Sequence, residues 1–230
     1  MTGASGNVSA VTWAERAADR SPAVQRSRSR SIQQMQVIVD AAKRLVVEHG
    51  SGFTTQELAR TAGVAMQTFY RYFPGKDQLI LAVIEDMIAE SAAGLAAVVA
   101  VEPDPVERLR RIVLITMSGL GGDDASASGP RFITAEHYRL HQLFPRELAL
   151  AVQPFTDLIA GELRAAKEAG LLDPVDVEAD AALVNRMLMT TFHHHAFAGA
   201  GSRSVAEIGE HLWQFCRTGL GGPRPGPAGR

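Results

Sequence analysis

The 230-residue sequence holds a single cysteine, Cys216. One thiol excludes an internal disulfide framework and agrees with a reducing compartment. Long uninterrupted apolar runs are missing too, which argues against a helix across a bilayer. The polar, Ser/Arg-rich N-terminus lacks the apolar segment of a secretory signal. These absences predict a cytoplasmic protein with no membrane partner. Catalytic signatures are also absent: there is no G-x-S-x-G, no glycine-rich phosphate loop, no H-E-x-x-H and no paired cysteine motif. The sequence thus points to no enzyme and no cofactor. Cys216 has no base close by and reads as a packed small residue rather than a nucleophile.

With 46% hydrophobic and 21% charged residues, the composition fits one or two globular domains with a real core. Net charge is only −2, but its distribution is uneven. Residues 1–76 hold ten basic and five acidic side chains, and residues 77–230 hold thirteen and twenty. A basic head on an acidic body suits a DNA-binding domain joined to a separate module.

Periodicity predicts an all-α chain. Residues 1–30 read as a disordered Ser/Arg-rich arm. A first helix is expected over about Ser31–His49, with Ile32, Met35, Val39, Ala42, Leu45 and Val46 on one face and Gly50 as its stop. Pro74-Gly75 breaks the chain, and a long helix follows from near Lys76 to about Ala100. Pro103 and Pro105 open the next helix, whose centre, Ile112 to Met117, is apolar on all sides and so expected to be buried in a bundle. A loop over 121–130 is followed by helices at about Arg131–Leu143, Pro145–Ala169, Val177–Ala198 and Ser204–Gly219. The tail, 220–230, should be unstructured.

The most informative stretch is 54–76, TTQELARTAGVAMQTFYRYFPGK. Thr54 and Glu57 form the T-x-x-E pattern of a capping box, so a helix should start there. Leu58, Ala59 and Ala62 recur at helical spacing, Gly63 suits a left-handed turn, and Val64 can plug the angle between two helices. A second short helix, Met66 to Phe73, would bury Phe69 and Phe73. Met66, Gln67, Thr68, Tyr70 and Arg71 are left facing largely outward, with the polar edge of Tyr72. Such a surface suits a helix that enters the DNA major groove.

Residues 36–84 resemble the DNA-binding domain of the TetR family of bacterial transcriptional regulators. The matching elements are Ile38-x-x-Ala41-Ala42, Gly50, Thr54-Thr55, Leu58-Ala59, Ala62-Gly63-Val64, Thr68-Phe69-Tyr70-x-Tyr72-Phe73 and Lys76-Asp77-x-Leu79. Two positions depart from the family pattern: Ala65 stands where a hydroxyl is common, and Gln67 where a small residue is common. The resemblance implies a three-helix head over 31–76 and a larger helical bundle over 77–219 for effector binding and dimerisation. It places Thr55 and Lys76 at helix N-termini near phosphates, gives the Tyr70 and Tyr72 hydroxyls to the DNA backbone, and makes Met66, Gln67, Thr68 and Arg71 the candidates for groove contacts. The implied partners are double-stranded operator DNA, a second copy of the chain and a small-molecule effector. The Met, Leu and Phe content suggests an apolar effector. Leu114, Met117, Phe132, Tyr138, His141, Phe155, Ile159 and Met187 are the candidates for lining its pocket.

The resemblance also implies an interface between copies built by the last two long helices, with Val184, Leu188, Thr191, His195 and Trp213 as candidates. His137 and His141, four apart, share a helix face, but two ligands do not make a metal site, and pocket lining or surface placement is the better reading. His193-His194-His195 diverge by about 100° per residue on a helix, so the three cannot converge on one ion from a single chain; they read as residues in or beside an interface between copies, with a pH-sensitive or metal-binding role left open. No metal is expected. The leading expectation is a ligand-responsive homodimeric repressor. An activator or effector-independent DNA binder remains open, as does a helical enzyme or small-molecule-binding protein with a merely structural helix-turn-helix.

Overall fold

A computed structural model of the chain describes residues 13–120, 128–198 and 203–223, and among these every regular element is helical. The fold class is all-α, as periodicity predicts. Two helices, α1 (Trp13–Arg20) and α2 (Pro22–His49), open the chain. The arm expected to be disordered through residue 30 is therefore helical from Trp13, and residues 1–12 lie outside the described ones. Pro22 occupies the first helical turn, where its missing N–H costs nothing. The Gln25 side chain donates to the Asp19 carbonyl at 2.7 Å and ties α1 to α2. Residues 22–30 are exposed on all sides, so apolar periodicity carries no trace of this extension. Helix propensity and continuity with the buried turns from Ile38 onward sustain it.

A short 3-10 turn, Gly50–Gly52, leads to α3 (Thr55–Ala62) and α4 (Met66–Tyr72). Thr54 caps α3 through the reciprocal Thr54–Glu57 box, and Gly63 takes the left-handed conformation, φ 66° and ψ 30°. Next come α5 (Lys76–Val99) and α6 (Pro105–Ser118), the latter capped by the Asp104 carboxylate on the Val106 N–H at 2.8 Å. Helix α7 (Ser128–Leu143) begins before the expected Arg131, and the rest of the expected loop, 121–127, lies outside the described residues.

The helix expected over Pro145–Ala169 is two, α8 (Pro145–Ala151) and α9 (Gln153–Glu168). Pro154 forces this break: its ring and missing N–H cannot continue a helix already under way, but suit the first turn of a new one. Last come α10 (Val177–Ala198) and α11 (Val205–Gly219), which opens with a capping box of Ser204 and Glu207. The separator 199–202 and tail residues 224–230 fall outside the described residues.

Two buried clusters organise these helices. The first joins Ile38 and Leu45 of α2, Phe53, Leu58, Phe69 and Phe73 to Leu79, Ile80 and Ile84 of α5, and continues into Phe132 and Leu140 of α7 and Leu148 of α8. The second takes in Leu95 and Val99 of α5, Ile112 and Met117 of α6, Ile159 and Leu163 of α9, Leu188 of α10 and Trp213 of α11. Helix α10 packs on α9, and α11 on α6. The boundary drawn at residue 76 thus runs through a core. Each large apolar side chain buried there contributes about 1.5–3 kcal/mol, which fastens the head to α5, α7 and α8.

Helix α6 is not buried all round, since Ile115 is 38% exposed. No helix among the described residues is long and apolar enough to cross a membrane.

Candidate DNA interface and effector cavity

Phe69 is fully buried and stacks on Phe73 with ring centroids 6.1 Å apart, which pins one face of α4 to the head. The opposite face is left to solvent: Gln67, Tyr70 and Arg71 are exposed, while Met66, Thr68 and Tyr72 are half-buried. Thr55, the first residue of α3, is half-buried. Helix α4 starts at Met66, and its N-cap residue, Ala65, has no side-chain acceptor to offer the first N–H groups. The Arg71 guanidinium is held over the Tyr72 ring at 4.8 Å and donates to the Tyr72 hydroxyl at 3.2 Å. Arg71 and Tyr72 line a polar hollow together with Ser27, Arg30, Ser31 and Gln34 of α2. The N-terminal half of α2 thus stands beside the exposed helix and adds a second guanidinium to the same surface.

Lys76 is placed differently from the expectation of an outward phosphate contact. Its ammonium donates to the Phe53 carbonyl at 2.6 Å and lies 4.4 Å over the Phe53 ring. Burial holds it below the usual lysine value. One residue on, Asp77 pairs with Arg139 of α7, which also binds the buried Glu136 at 2.6 Å. An ion-pair junction therefore joins α7 to the start of α5.

Behind that junction lies a cavity of about 410 Å³. Helix α5 supplies one wall through Ile84, Met87, Ile88, Leu95 and Val98. Ile115 and Thr116 come from α6, Ile133 from α7, Phe155 from α9, and Met189, Phe192 and His193 from α10. Volume and lining both suit a small-molecule site. Gly94 and Ser91 of α5 border it as well, and a Cβ added at Gly94 would meet open space.

His193 is buried, with its ring 4.8 Å from His137 and 5.7 Å from Tyr138. His137 in turn stacks on His141 at 6.5 Å. Burial, with the neighbouring His137, pushes His193 down to about 4, and burial lowers His137 as well, so both are neutral near pH 7. The other two residues of the tract diverge: His194 is exposed and His195 half-buried. Among the described residues no three His, Cys, Asp or Glu side chains are grouped so as to hold a metal ion. Cys216 is buried and free, and burial pushes its thiol up to about 11.

Of the residues expected to line a pocket, Phe155 does so. Met117 and Ile159 are fully buried in the second core, and Phe132 belongs to the first. Met187 packs against the second core, and Leu114 faces a separate surface hollow between α6 and α11. Tyr138 and His141 are exposed behind the His193–His137 pair. The wall that periodicity missed is α5, whose apolar residues exceed what one buried face needs. Its interior glycine, Gly94, was a further signal, since a mid-helix glycine costs stability unless space is wanted there.

Of the interface candidates, Val184, Leu188 and Trp213 are buried inside the protomer's own second core, while Thr191 and His195 are half-buried. The apolar side chains that α10 and α11 do expose are Leu183 (51%), Phe197 (58%) and Phe215 (65%).

Comparison with known proteins agrees with this architecture. The model of the tetR family of bacterial regulatory proteins matches residues 38–83. The HTH-type transcriptional regulator EthR of Mycolicibacterium smegmatis is 22% identical over 178 residues, which cover 77% of this chain and 82% of EthR. The BetI regulator of Brucella anthropi is 34% identical over 82 residues, 35% of this chain and 42% of BetI, so that match spans less than half of the relative. Among solved structures, Thermus thermophilus FadR, a TetR-family transcriptional repressor in complex with lauroyl-CoA, superposes with a TM-score of 0.66 at 26% identity. That superposition covers 85% of this chain and 100% of FadR. Given the capped helix-turn-helix, the exposed face of α4 and these likenesses, residues 38–83 form a helix-turn-helix head of the kind that the tetR family of bacterial regulatory proteins carries.

Proposed function

We propose that the protein is a homodimeric repressor whose α4 reads operator DNA and whose affinity for that DNA falls when an apolar small molecule fills the α5-walled cavity. One observation carries this reading: a single helix, α5, follows α4 after a break of three residues and then walls the cavity. A ligand that fits only one position of α5 moves the head, and ligand and DNA must then oppose each other reciprocally. The Arg139–Asp77 pair supports a second connection, since α7 also contributes Ile133 to the cavity wall.

Within the reading surface, Gln67 and Arg71 are assigned to base edges or adjacent phosphates and Tyr70 to the DNA backbone. Thr55 and the start of α4, with Met66 and Thr68, lie along the same surface. Lys76 acts as a brace on Phe53 rather than chiefly as a phosphate ligand. Leu183, Phe197 and Phe215 form the surface that a second copy covers. Two heads must then sit about one DNA turn apart, or a multiple of it, on a palindromic site.

The test uses full-length protein and labelled duplexes from the region upstream of its own gene. Specific binding that survives excess competitor DNA and protects two half-sites is expected. A reporter driven by that region should rise when the gene is deleted. A fall in the reporter would make the protein an activator, and binding without sequence preference would leave only an architectural role.

A further inference from the structure

The polar inventory of the cavity is short. Apart from Gly94 and the apolar side chains, Ser91, Thr116 and His193 line it, and among the described residues no Lys, Arg, Asp or Glu does. The Thr116 hydroxyl is committed to the Ile112 carbonyl at 2.8 Å. Ser91 lies on an exposed stretch of α5 and so belongs to the mouth. Among the described lining residues His193 is then the one buried side chain with both a donor and an acceptor to offer.

An anionic ligand group placed against this lining would lose its water without gaining a cation, which is costly. His193 is poorly suited to become that cation, because it is buried and faces a second histidine, His137, at 4.8 Å. The neutral imidazole can instead exchange hydrogen bonds with an uncharged hydroxyl or carbonyl.

We propose that the cavity takes an uncharged ligand with an elongated or aromatic apolar body and a hydroxyl or carbonyl at one end, and that His193, backed by His137, holds that end. This rests on the cavity being the effector site. It also separates this chain from the acyl-CoA-bound FadR it resembles, since the cavity offers no cation to a nucleotide phosphate among its described lining residues. Specificity arises because a buried imidazole left without a partner penalises a wholly apolar ligand, while the missing cation penalises a charged one.

Calorimetric titration of the full-length protein at pH 7.5 with 1-decanol, decanoate and lauroyl-CoA tests the proposal. Decanol should bind, and decanoate should bind at least about tenfold more weakly because its charge is desolvated without compensation. His193→Leu should weaken decanol roughly five- to tenfold, the loss expected for one hydrogen bond. His193→Gln, which keeps a donor and an acceptor, should stay within about threefold of wild type. Should the leucine variant not fold, the decanol-to-decanoate ratio in wild type and the glutamine variant still decide.

Tighter binding of decanoate or lauroyl-CoA than of decanol overturns the proposal, as does equal decanol affinity in wild type and His193→Leu. Gly94→Leu, which fills the cavity from its α5 wall, distinguishes failure of the underlying reading. If Gly94→Leu leaves decanol binding intact, or if no probe binds to wild type, the cavity is not the effector site and the proposal falls with it.

Discussion

Gln67 and Tyr70 stand three residues apart on the exposed face of α4, and their chemistry separates what each can read. A phenol hydroxyl can donate to phosphate without sensing sequence, whereas a carboxamide can pair with both polar groups on the adenine edge. Tyr70→Phe should therefore weaken binding on operator and non-specific DNA alike by a few-fold, the value of about one hydrogen bond. Gln67→Ala should instead flatten preference at one or two operator positions, each worth about 1–3 kcal/mol. A binding-site selection that returned the same sequence logo for wild type and Gln67→Ala would remove the base-reading role.

A second prediction at this scale concerns pH. Burial holds His193 near 4 against the ordinary 6.5, so as pH falls below 6.5 the unfolded chain takes up a proton that the folded one refuses. The stability present above pH 6.5 should be lost progressively as pH falls through about 4, and His193→Gln should flatten that fall in the melting temperature. His137 depends in the same direction, so the variant should reduce the slope rather than abolish it. The exposure of Gln67 and Tyr70 was legible in the sequence because Phe69 and Phe73 fix which way α4 faces. The burial of His193 was not, because three identical residues in a row leave the choice to the register of α10 against α7.

At the level of elements, α7 presents Ile133 to the cavity wall and Arg139 to Asp77 at the head of α5. If that pair helps carry effector occupancy to the reading surface, Arg139→Gln should keep ligand and DNA affinities near wild type but shrink the effect of one on the other. Coupling of ordinary allosteric size, about 5- to 150-fold, should then fall to a few-fold. Unchanged release of DNA by ligand in Arg139→Gln would leave α5 as the sole connection.

Helix α2 yields a sharper division among its arginines. Arg26 and Arg30 are four apart and share a face, and Arg30 joins Arg71 in the polar hollow, while Arg28 points elsewhere, 3.9 Å from Asp19. Arg30→Ala should lower the salt dependence of DNA binding by about one counterion, and Arg28→Ala should leave it unchanged. Periodicity exposed the buried half of α2 through Val39, Ala42 and Val46. It was blind to the half that touches only solvent, just as it missed the Pro154 break, because helical spacing runs unbroken from Leu148 to Ile159.

For the molecule as a whole, oligomeric state depends on which apolar side chains remain exposed once the protomer has folded. Val184 and Leu188 satisfied the heptad-like spacing of an interface, but the protomer's own second core consumes them. Spacing alone cannot say whether an apolar face meets another helix of the same chain or of a second one. Leu183→Glu combined with Phe215→Glu should give a folded monomer by light scattering at micromolar concentration, with much weaker operator binding. Val184→Glu should instead lower stability severely, by leaving a buried charge unpaired.

The first core has a bearing on recombining this protein with its relatives. Since Phe53, Phe69 and Phe73 share their burial with Leu79, Phe132, Leu140 and Leu148, a chimaera joined at residue 76 would set two unmatched halves of one interior against each other. Such a hybrid should be insoluble or melt far below either parent. A transplant confined to the solvent side of α4, exchanging Gln67, Tyr70 and Arg71 alone, should keep the parental melting temperature and carry the donor's operator preference with it.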